Sequence, residues 1–261
     1  MSEKTTVKNL ELLAQEFRRT NGLSSTEPLR IKSLLQKTNV LTLYKPLSSG
    51  FSGMSVKIDS DMSVKIDMPE KYYRFMLINS DHPIGKQHFT VCHEFYHLYF
   101  QKDFKAAISC TGLFDKKGNP EEYNADIFAS YLLLPEMGVW EMIPENERNR
   151  NKIQISTILA IEHFYGCSHT ALLFRLMNMD LIDKPHKEEL STGIVALARK
   201  FGYNTSLYEK NNEGEVIGDY GLLANKAWED GILSESAYYG LLIDLGVDIS
   251  KLDDEQTNGE F

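Results

Sequence analysis

The spacing of apolar residues predicts a chain that begins with helices and strands and continues mostly as helices. Apolar residues three or four positions apart form one face of a helix and predict helices at 7–19, 31–35, 83–100, 121–134, 153–165, 169–179, 190–201, 220–230 and 234–245. Alternating apolar and polar residues have the strand period and predict strands at 40–44, 54–59, 62–67 and 72–78. The polar segment 102–120 is predicted to be a loop.

A repeated hexapeptide indicates how some of the strands are joined. The sequence Met-Ser-Val-Lys-Ile-Asp occurs at 54–59 and again at 62–67. The residues between the copies, Ser60 and Asp61, suit a tight turn, so the repeat predicts a β-hairpin. With the flanking strands it predicts a small antiparallel sheet of three or four strands ahead of the helix at 83–100. The predicted fold class is therefore α+β.

The composition is typical of a globular protein and narrows the classes of partner. A chain of 261 residues, 42% hydrophobic and 25% charged, can form one large domain or two small ones. The net charge of -9 argues against a nucleic-acid-binding surface spread over the whole molecule. The pattern changes near residue 188, which predicts a first domain at 1–187 and a helical accessory region at 188–261.

Three features favour a cytoplasmic protein. No apolar run approaches the roughly 18 residues needed for a membrane helix, so no membrane partner is expected. The first twenty residues are polar and charged, unlike a secretory signal. Cys92, Cys110 and Cys167 form no C-x-x-C pair and are predicted to be free thiols in a reducing compartment.

Residues 93–97 are the most informative segment, because they read His-Glu-Phe-Tyr-His, an H-E-x-x-H motif. Positions i and i+4 of a helix share a face, so His93 and His97 can bind one metal ion. Glu94 lies about 100° further round the helix, close enough to contact a water on that metal. A catalytic zinc site needs a third protein ligand and an open position.

The preferred third ligand is Glu122, close to the start of the helix at 121–134. Glu121 is the alternative, and a solvated acidic helix start, favoured by the helix dipole, would explain both residues without a metal. Asp126 lies one turn after Glu122 on the same face. There it can accept a hydrogen bond from the far nitrogen of a ligand histidine and so fix its tautomer. The alternative for Asp126 is an exposed helix position.

Glu94 is predicted to be the general base. A carboxylate beside a water on the metal can take the proton as the water attacks a carbonyl, and can then pass it to the leaving amine. A surface salt bridge is the alternative role. The reaction also needs a donor to the oxyanion besides the metal. Tyr96, His163, Tyr165 and His169 are candidates among which the sequence does not choose.

The sequence around these residues resembles the ImmA/IrrE-type metallo-endopeptidases. Gly-Lys-Gln-His-Phe-Thr-Val-Cys-His-Glu-Phe-Tyr-His at 85–97 is similar to that family's active-site helix, in which Phe-Thr or Phe-Ser leads into H-E-x-x-H. Residues 122–135 resemble the family's E-x-x-A-[ND]-x-F-A…L-L-x-P helix. The similarity also includes the strand at 73–79 and an S-x-x-A-x-x-x-R-L segment at 168–176, and it covers about 30–182.

The resemblance implies a zincin-like α+β metalloprotease. It implies that His93, His97 and Glu122 bind Zn²⁺ and that Glu94 is the catalytic base. It also implies the family's usual activity, which is cleavage of a helix-turn-helix DNA-binding repressor in a mobile-element or stress response. Tyr96 is a departure, because many members have glycine there, and the bulkier side chain is expected to narrow the cleft.

Two other functions compete with proteolysis as interpretations of the sequence. A regulatory module would keep zinc and sequester a partner protein without cutting it, but such a module has no use for Glu94. The helices at 153–165 and 169–179 resemble a helix-turn-helix in their spacing, yet the second offers only Arg175 as a basic residue. A packing pair is the better interpretation, and direct nucleic-acid binding is not expected. Cys92, next to the motif, is predicted to be a small buried residue rather than a redox sensor.

Overall fold

The computed structural model describes residues 3–59, 72–110, 119–247 and 249. Its strands are β1 (Val40–Lys45), β2 (Phe51–Asp59), β3 (Tyr72–Asn79), β4 (Ala106–Cys110) and β5 (Val216–Ile217). Its α-helices are α1 (Glu3–Thr20), α2 (Ile31–Lys37), α3 (Ile84–Tyr99), α4 (Pro120–Leu133), α5 (Glu136–Glu141), α6 (Ile155–Tyr165), α7 (His169–Asn178), α8 (Lys184–Leu190), α9 (Ile194–Lys200), α10 (Tyr220–Glu229) and α11 (Glu235–Asp244). The α+β class predicted from the sequence is confirmed.

The strands form one mixed sheet in the order β4-β2-β3-β1-β5. β2 is antiparallel to β3 and to β4, and β5 is antiparallel to β1. β1 and β3, however, are parallel, with Val40 opposite Arg74. The prediction of a purely antiparallel sheet was therefore wrong at its centre.

A short crossing between β1 and β2 explains the parallel pair. The chain at 46–50 passes over the end of β3 before β2 begins on the far side. Asn79, fully buried at the end of β3, holds this crossing in place. Its Oδ1 accepts from the amide of Leu47 at 3.0 Å, and its Nδ2 donates to the carbonyl of Phe51 at 2.8 Å. Apolar periodicity carries no information about such a crossing.

Two sequence predictions fall around β2 and β4. The second copy of the hexapeptide, at 62–67, lies outside the described residues, so the predicted hairpin stays a prediction. The neighbours of β2 in the described sheet are β3 and β4. The segment 102–120 was predicted to be a loop, which was wrong at 106–110, because these residues form β4 against β2.

Most of the predicted helices are confirmed to within a few residues, with one exception. The helix predicted at 190–201 was wrong as a single element, because α8 ends at Leu190 and α9 begins at Ile194. Gly193 between them has φ 74°, a left-handed backbone that interrupts the helix. The domain boundary predicted near 188 falls within α8, and the division into two domains stays a prediction. No helix in the described part of the chain has the length and apolarity needed to span a bilayer.

The helical layer over the sheet places the H-E-x-x-H motif deep in the core. α3 packs on β2 and β3, α4 packs on α3, and α1 packs on α4. Aromatic rings fill the space between the helices. The ring centroids of Phe17 on α1 and Phe95 on α3 are 5.0 Å apart, and those of Phe100 and of Phe128 on α4 are also 5.0 Å apart. Burying several such rings stabilises the relative placement of the helices, and hence of the side chains that they carry.

Candidate metal centre

Helices α3 and α4 bring the predicted ligand residues together. His93 and His97 lie one turn apart on α3 and are 6% and 0% exposed. α4 begins just before Glu122, because Asn119 caps the helix by accepting from the amide of Glu121 at 3.0 Å. The first turn of α4 thus presents Glu122 to the two histidines.

The three side chains converge at metal-binding distances. The Nε2 atoms of His93 and His97 are 3.1 Å apart. The carboxylate of Glu122 places Oε2 3.2 Å from Nε2 of His93 and Oε1 3.4 Å from Nε2 of His97. Ligands about 2.0–2.1 Å from a tetrahedral zinc ion are about 3.3–3.4 Å from one another. The spacing of these donor atoms therefore fits a single zinc ion.

The tautomers of the two histidines fit the same conclusion. Nδ1 of His93 donates to Oδ1 of Asp126 at 2.8 Å, and Nδ1 of His97 donates to Oε1 of Gln101 at 2.5 Å. In the neutral form, with Nδ1 carrying the only ring proton, each Nε2 presents a lone pair that a metal ion can bind. Three electron-rich atoms at this spacing repel one another unless a cation lies among them.

Electrostatics at His93 also favour positive charge in this pocket. Burial lowers the pKa of His93, but its hydrogen bonds to Asp126 and Glu122 outweigh burial and raise the pKa to about 10. For Glu122, burial raises the pKa of the carboxyl group. Its hydrogen bond to His93 and the charges of both histidines lower that pKa by more, so the net change is a decrease. Both shifts show that the pocket stabilises a cation beside a carboxylate.

Glu94 lies beside the ligands and faces the sheet. Its side chain is fully buried. Oε2 accepts from the hydroxyl of Ser55 on β2 at 2.6 Å, and Oε1 accepts from the hydroxyl of Ser109 on β4 at 2.6 Å. The surface salt bridge weighed for Glu94 is thus not its environment. Sequence reasoning missed both serines. Ser55 lies in a predicted strand, but periodicity does not say what that strand packs against, and Ser109 lies in a segment that was predicted to be a loop.

The acidic residues near the motif take distinct positions. Glu121 accepts from the hydroxyl of Tyr96 at 2.8 Å, whereas Glu122 contacts the two histidines. Asp126 is 4% exposed and bonded to His93, as expected for a residue that orients a ligand. Gln101, one turn after His97, does the same for that ring and was not anticipated. An i+4 amide after the motif was the signal available for it.

Each of the four oxyanion candidates has a partner other than the metal ligands. The hydroxyl of Tyr165 donates to the carbonyl of Thr26 at 2.7 Å, and Nδ1 of His169 pairs with Glu162. The ring of His163 stacks on that of Tyr203, with 4.4 Å between the ring centroids. Among the described residues, none of these three hydrogen-bonds to His93, its partner histidine or the ligand carboxylate. Tyr96 lies on α3 beside His97, with 5.7 Å between the ring centroids, but its hydroxyl donates to Glu121.

The structure also bears on two minor interpretations. Arg175, the basic residue of α7, is fully buried and donates to the carbonyl of Leu134 at 3.0 Å and to Glu136 at 3.2 Å. α7 therefore offers no free arginine for nucleic acid. Cys92 is fully buried, and burial raises the pKa of its thiol to about 12, although Arg18 lowers it. A protonated, inaccessible thiol favours packing over redox sensing.

Comparison with known proteins agrees with this geometry. The family profile described as Peptidase_M78, IrrE N-terminal-like domain, matches residues 37–177, more than half of the chain. No individual curated protein matches the chain. The matched range includes α3, α4 and every residue that converges at the candidate centre, and it confirms the resemblance to ImmA/IrrE-type proteins. The chain belongs to the IrrE N-terminal-like family of metallopeptidases.

Proposed function

We propose that this protein is a zinc-dependent endopeptidase that acts in the cytoplasm on a DNA-binding repressor. The observation that carries the proposal is that His93, His97 and Glu122 bring one potential metal-ligand atom each to within 4.8 Å of one another. The buried carboxylate of Glu94 lies beside them. Membership of a metallopeptidase family supports the same reading. The zincin-like architecture expected from the sequence stays a prediction.

The donor set suits a catalytic rather than a purely structural metal. Two imidazole nitrogens and one carboxylate oxygen are the protein ligands of several zinc hydrolases, in which a fourth position stays open. When bound there, zinc would act as a Lewis acid that polarises a substrate carbonyl and makes water more acidic. Asp126 and Gln101 accept from Nδ1 of His93 and His97, so both rings already aim Nε2 at the site before a metal binds.

Glu94 is the group that would move the proton. A carboxylate has about four lone-pair sites, of which the two serine hydroxyls use two. The remaining sites can accept the proton of an attacking water at one carboxylate oxygen. Glu94 would then return that proton to the nitrogen of the leaving amine, so that the carboxylate is regenerated.

The sheet edge beside Glu94 offers a place for an extended peptide. β4 is the outermost strand at that edge of the described sheet, and its Ser109 touches Glu94. Unpaired edge strands readily add another strand through main-chain hydrogen bonds. A cavity of about 670 Å³ lies nearby against Phe104, whose ring stacks on His97 at 5.5 Å, and it has room for a substrate side chain.

The repressor as substrate rests on the resemblance to ImmA/IrrE-type proteins and not on the geometry. The substrate class is tested by incubating the purified protein with helix-turn-helix repressors from the same cell and mapping any products by mass spectrometry. Cleavage at one defined bond supports the proposal. A zinc-loaded protein that binds a repressor tightly and leaves it intact would instead favour the regulatory module.

The role of Glu94 is tested by the substitution Glu94→Gln. The variant should retain wild-type zinc content and lose cleavage, because the amide cannot accept the proton. Glu121→Gln is the matched control, since Glu121 neighbours the site but contacts Tyr96. That control should cleave at close to the wild-type rate. Retained cleavage in Glu94→Gln would contradict the mechanism.

A further inference from the structure

The carboxylate of Glu94 rests on two serine hydroxyls from different strands. Ser55 on β2 donates to Oε2 and Ser109 on β4 donates to Oε1, both at 2.6 Å. We propose that Ser55 and Ser109 are positioning residues that hold Glu94 in the orientation needed for proton transfer. This inference rests on the proposed function, because it assigns roles within the same site.

Both hydrogen bonds have the geometry of strong ones. Separations of about 2.5–2.7 Å are typical when a hydroxyl donates to an ionised carboxylate. Glu94 and Ser55 are fully buried and Ser109 is 3% exposed, so water does not compete for these contacts. In such surroundings a hydrogen bond is electrostatically stronger than at the surface. One bond to each oxygen fixes both the position and the plane of the carboxylate.

Hydroxyl partners suit a base better than a cation would. Within the described ranges, the hydrogen-bond partners of Glu94 are these two serines. A lysine or arginine in contact would stabilise the charged form strongly and weaken the carboxylate as a base. Neutral hydroxyls orient the group, leave its charge in place and leave lone pairs for a water.

Small residues line the face of the sheet beneath the carboxylate of Glu94. Gly53 lies opposite Ser109 in the β2–β4 pair and two residues before Ser55. A Cβ on Gly53 would lie 2.7 Å from Cγ2 of Thr90 and 3.2 Å from Oε1 of Glu94. Three small residues on one face of two strands thus form a fitted seat for Glu94.

Ser109 connects Glu94 to β4, the strand that is proposed to align the substrate. Ser109 belongs to β4, whose outer edge we assign to the extended peptide, while Ser55 belongs to the neighbouring strand. Losing either hydroxyl should therefore disturb proton transfer more than substrate binding. The expected signature is a fall in kcat with little change in KM.

The first experiment compares Ser55→Ala and Ser109→Ala with the wild-type enzyme in cleavage of its substrate. Each variant should lower kcat about 10- to 100-fold, as is typical when a residue that orients a catalytic group is removed. Zinc content and KM should stay close to wild type. Ser109→Thr keeps the hydroxyl and should recover most of kcat. Wild-type kcat in both alanine variants would overturn the proposal.

Ser130→Ala is the matched control. Ser130 is 1% exposed on α4, and its hydroxyl has no hydrogen-bond partner within the described part of the chain. This substitution removes a buried serine hydroxyl from the same core without touching Glu94. Its kcat should equal that of the wild type. A loss as large as that of Ser109→Ala would show a general effect on the fold and overturn the positioning role.

A second experiment needs no substrate. Urea unfolding of Glu94→Gln, Ser109→Ala and the double variant should give non-additive shifts, because the two residues contact each other. Additive shifts would overturn the contact and the proposal with it. Non-additive shifts with unchanged kcat would overturn the positioning role, since the hydroxyls would then stabilise only the fold. If the wild type cleaves no substrate, the proposed function and the positioning role are both overturned. The unfolding comparison of the single and double variants would still report whether Glu94 and Ser109 are in contact.

Discussion

Replacing Asp126 by alanine should weaken zinc binding about 10- to 100-fold. Nδ1 of His93 donates to Oδ1 of Asp126 at 2.8 Å, and these residues are 6% and 4% exposed. A hydrogen bond to a charged group contributes about 1.5–3 kcal/mol. Since about 1.4 kcal/mol is a factor of ten in affinity, losing this bond corresponds to the stated range. The loss arises because His93 is no longer held in the tautomer that binds metal through Nε2.

A competition titration against a chromophoric zinc chelator measures this change in Kd. Asp126→Asn should fall between the wild type and Asp126→Ala, because the amide oxygen still accepts the hydrogen bond but carries no charge. Glu121→Gln is the control for removing a nearby carboxylate, and its Kd should remain within about threefold of wild type, as for a weak surface charge effect. A folded Asp126→Ala protein with wild-type zinc affinity would show that Asp126 does not orient His93 for metal binding.

Three further predictions concern groups away from the metal. Thiol titration of the native protein should find one fast-reacting cysteine, the exposed Cys110, and three after denaturation. Burial lowers the pKa of His169, but its hydrogen bond and charge interaction with Glu162 raise the pKa by more, so the net shift is upward. The pair therefore contributes its full stabilisation below about pH 6.5, the ordinary pKa of histidine, and this contribution is lost as pH rises through the pKa of the folded state. The stability gap between wild type and His169→Gln in urea should thus narrow from pH 6 to pH 9; a constant gap would contradict it. Arg175→Met should lower the free energy of unfolding in urea by about 2–4 kcal/mol, because the carbonyl of Leu134 loses its buried charged donor. A decrease below about 0.5 kcal/mol, the size expected of a surface substitution, would contradict this prediction.

The ligand residues were predictable because their relationship is local. His93 and His97 share a helix face by their spacing alone, and Glu122 with Asp126 shares one by the same rule. Only the meeting of the two helices had to be assumed. The structure supplies that meeting through the packing of α4 on α3.

The seat of Glu94 was not predictable, because it depends on strand pairing. Ser109 belongs to a five-residue strand whose outward and inward positions do not alternate clearly in hydrophobicity. Its placement beside Ser55 follows from the register of β2 and β4. The parallel β1–β3 pair was missed for a similar reason, since the crossing held by Asn79 depends on side-chain to backbone bonds. Sequence periodicity describes each element alone and not its neighbours.

The three-ligand site is tested by the zinc content per chain, measured on the wild type and on Glu122→Ala after equilibration with a weak chelator. We expect about one zinc per chain in the wild type, as for a three-ligand catalytic site, and much less in the variant. Full zinc content in Glu122→Ala would contradict the assignment of the third ligand. A wild-type protein that binds neither zinc nor another transition metal after reconstitution would contradict the metallopeptidase account as a whole.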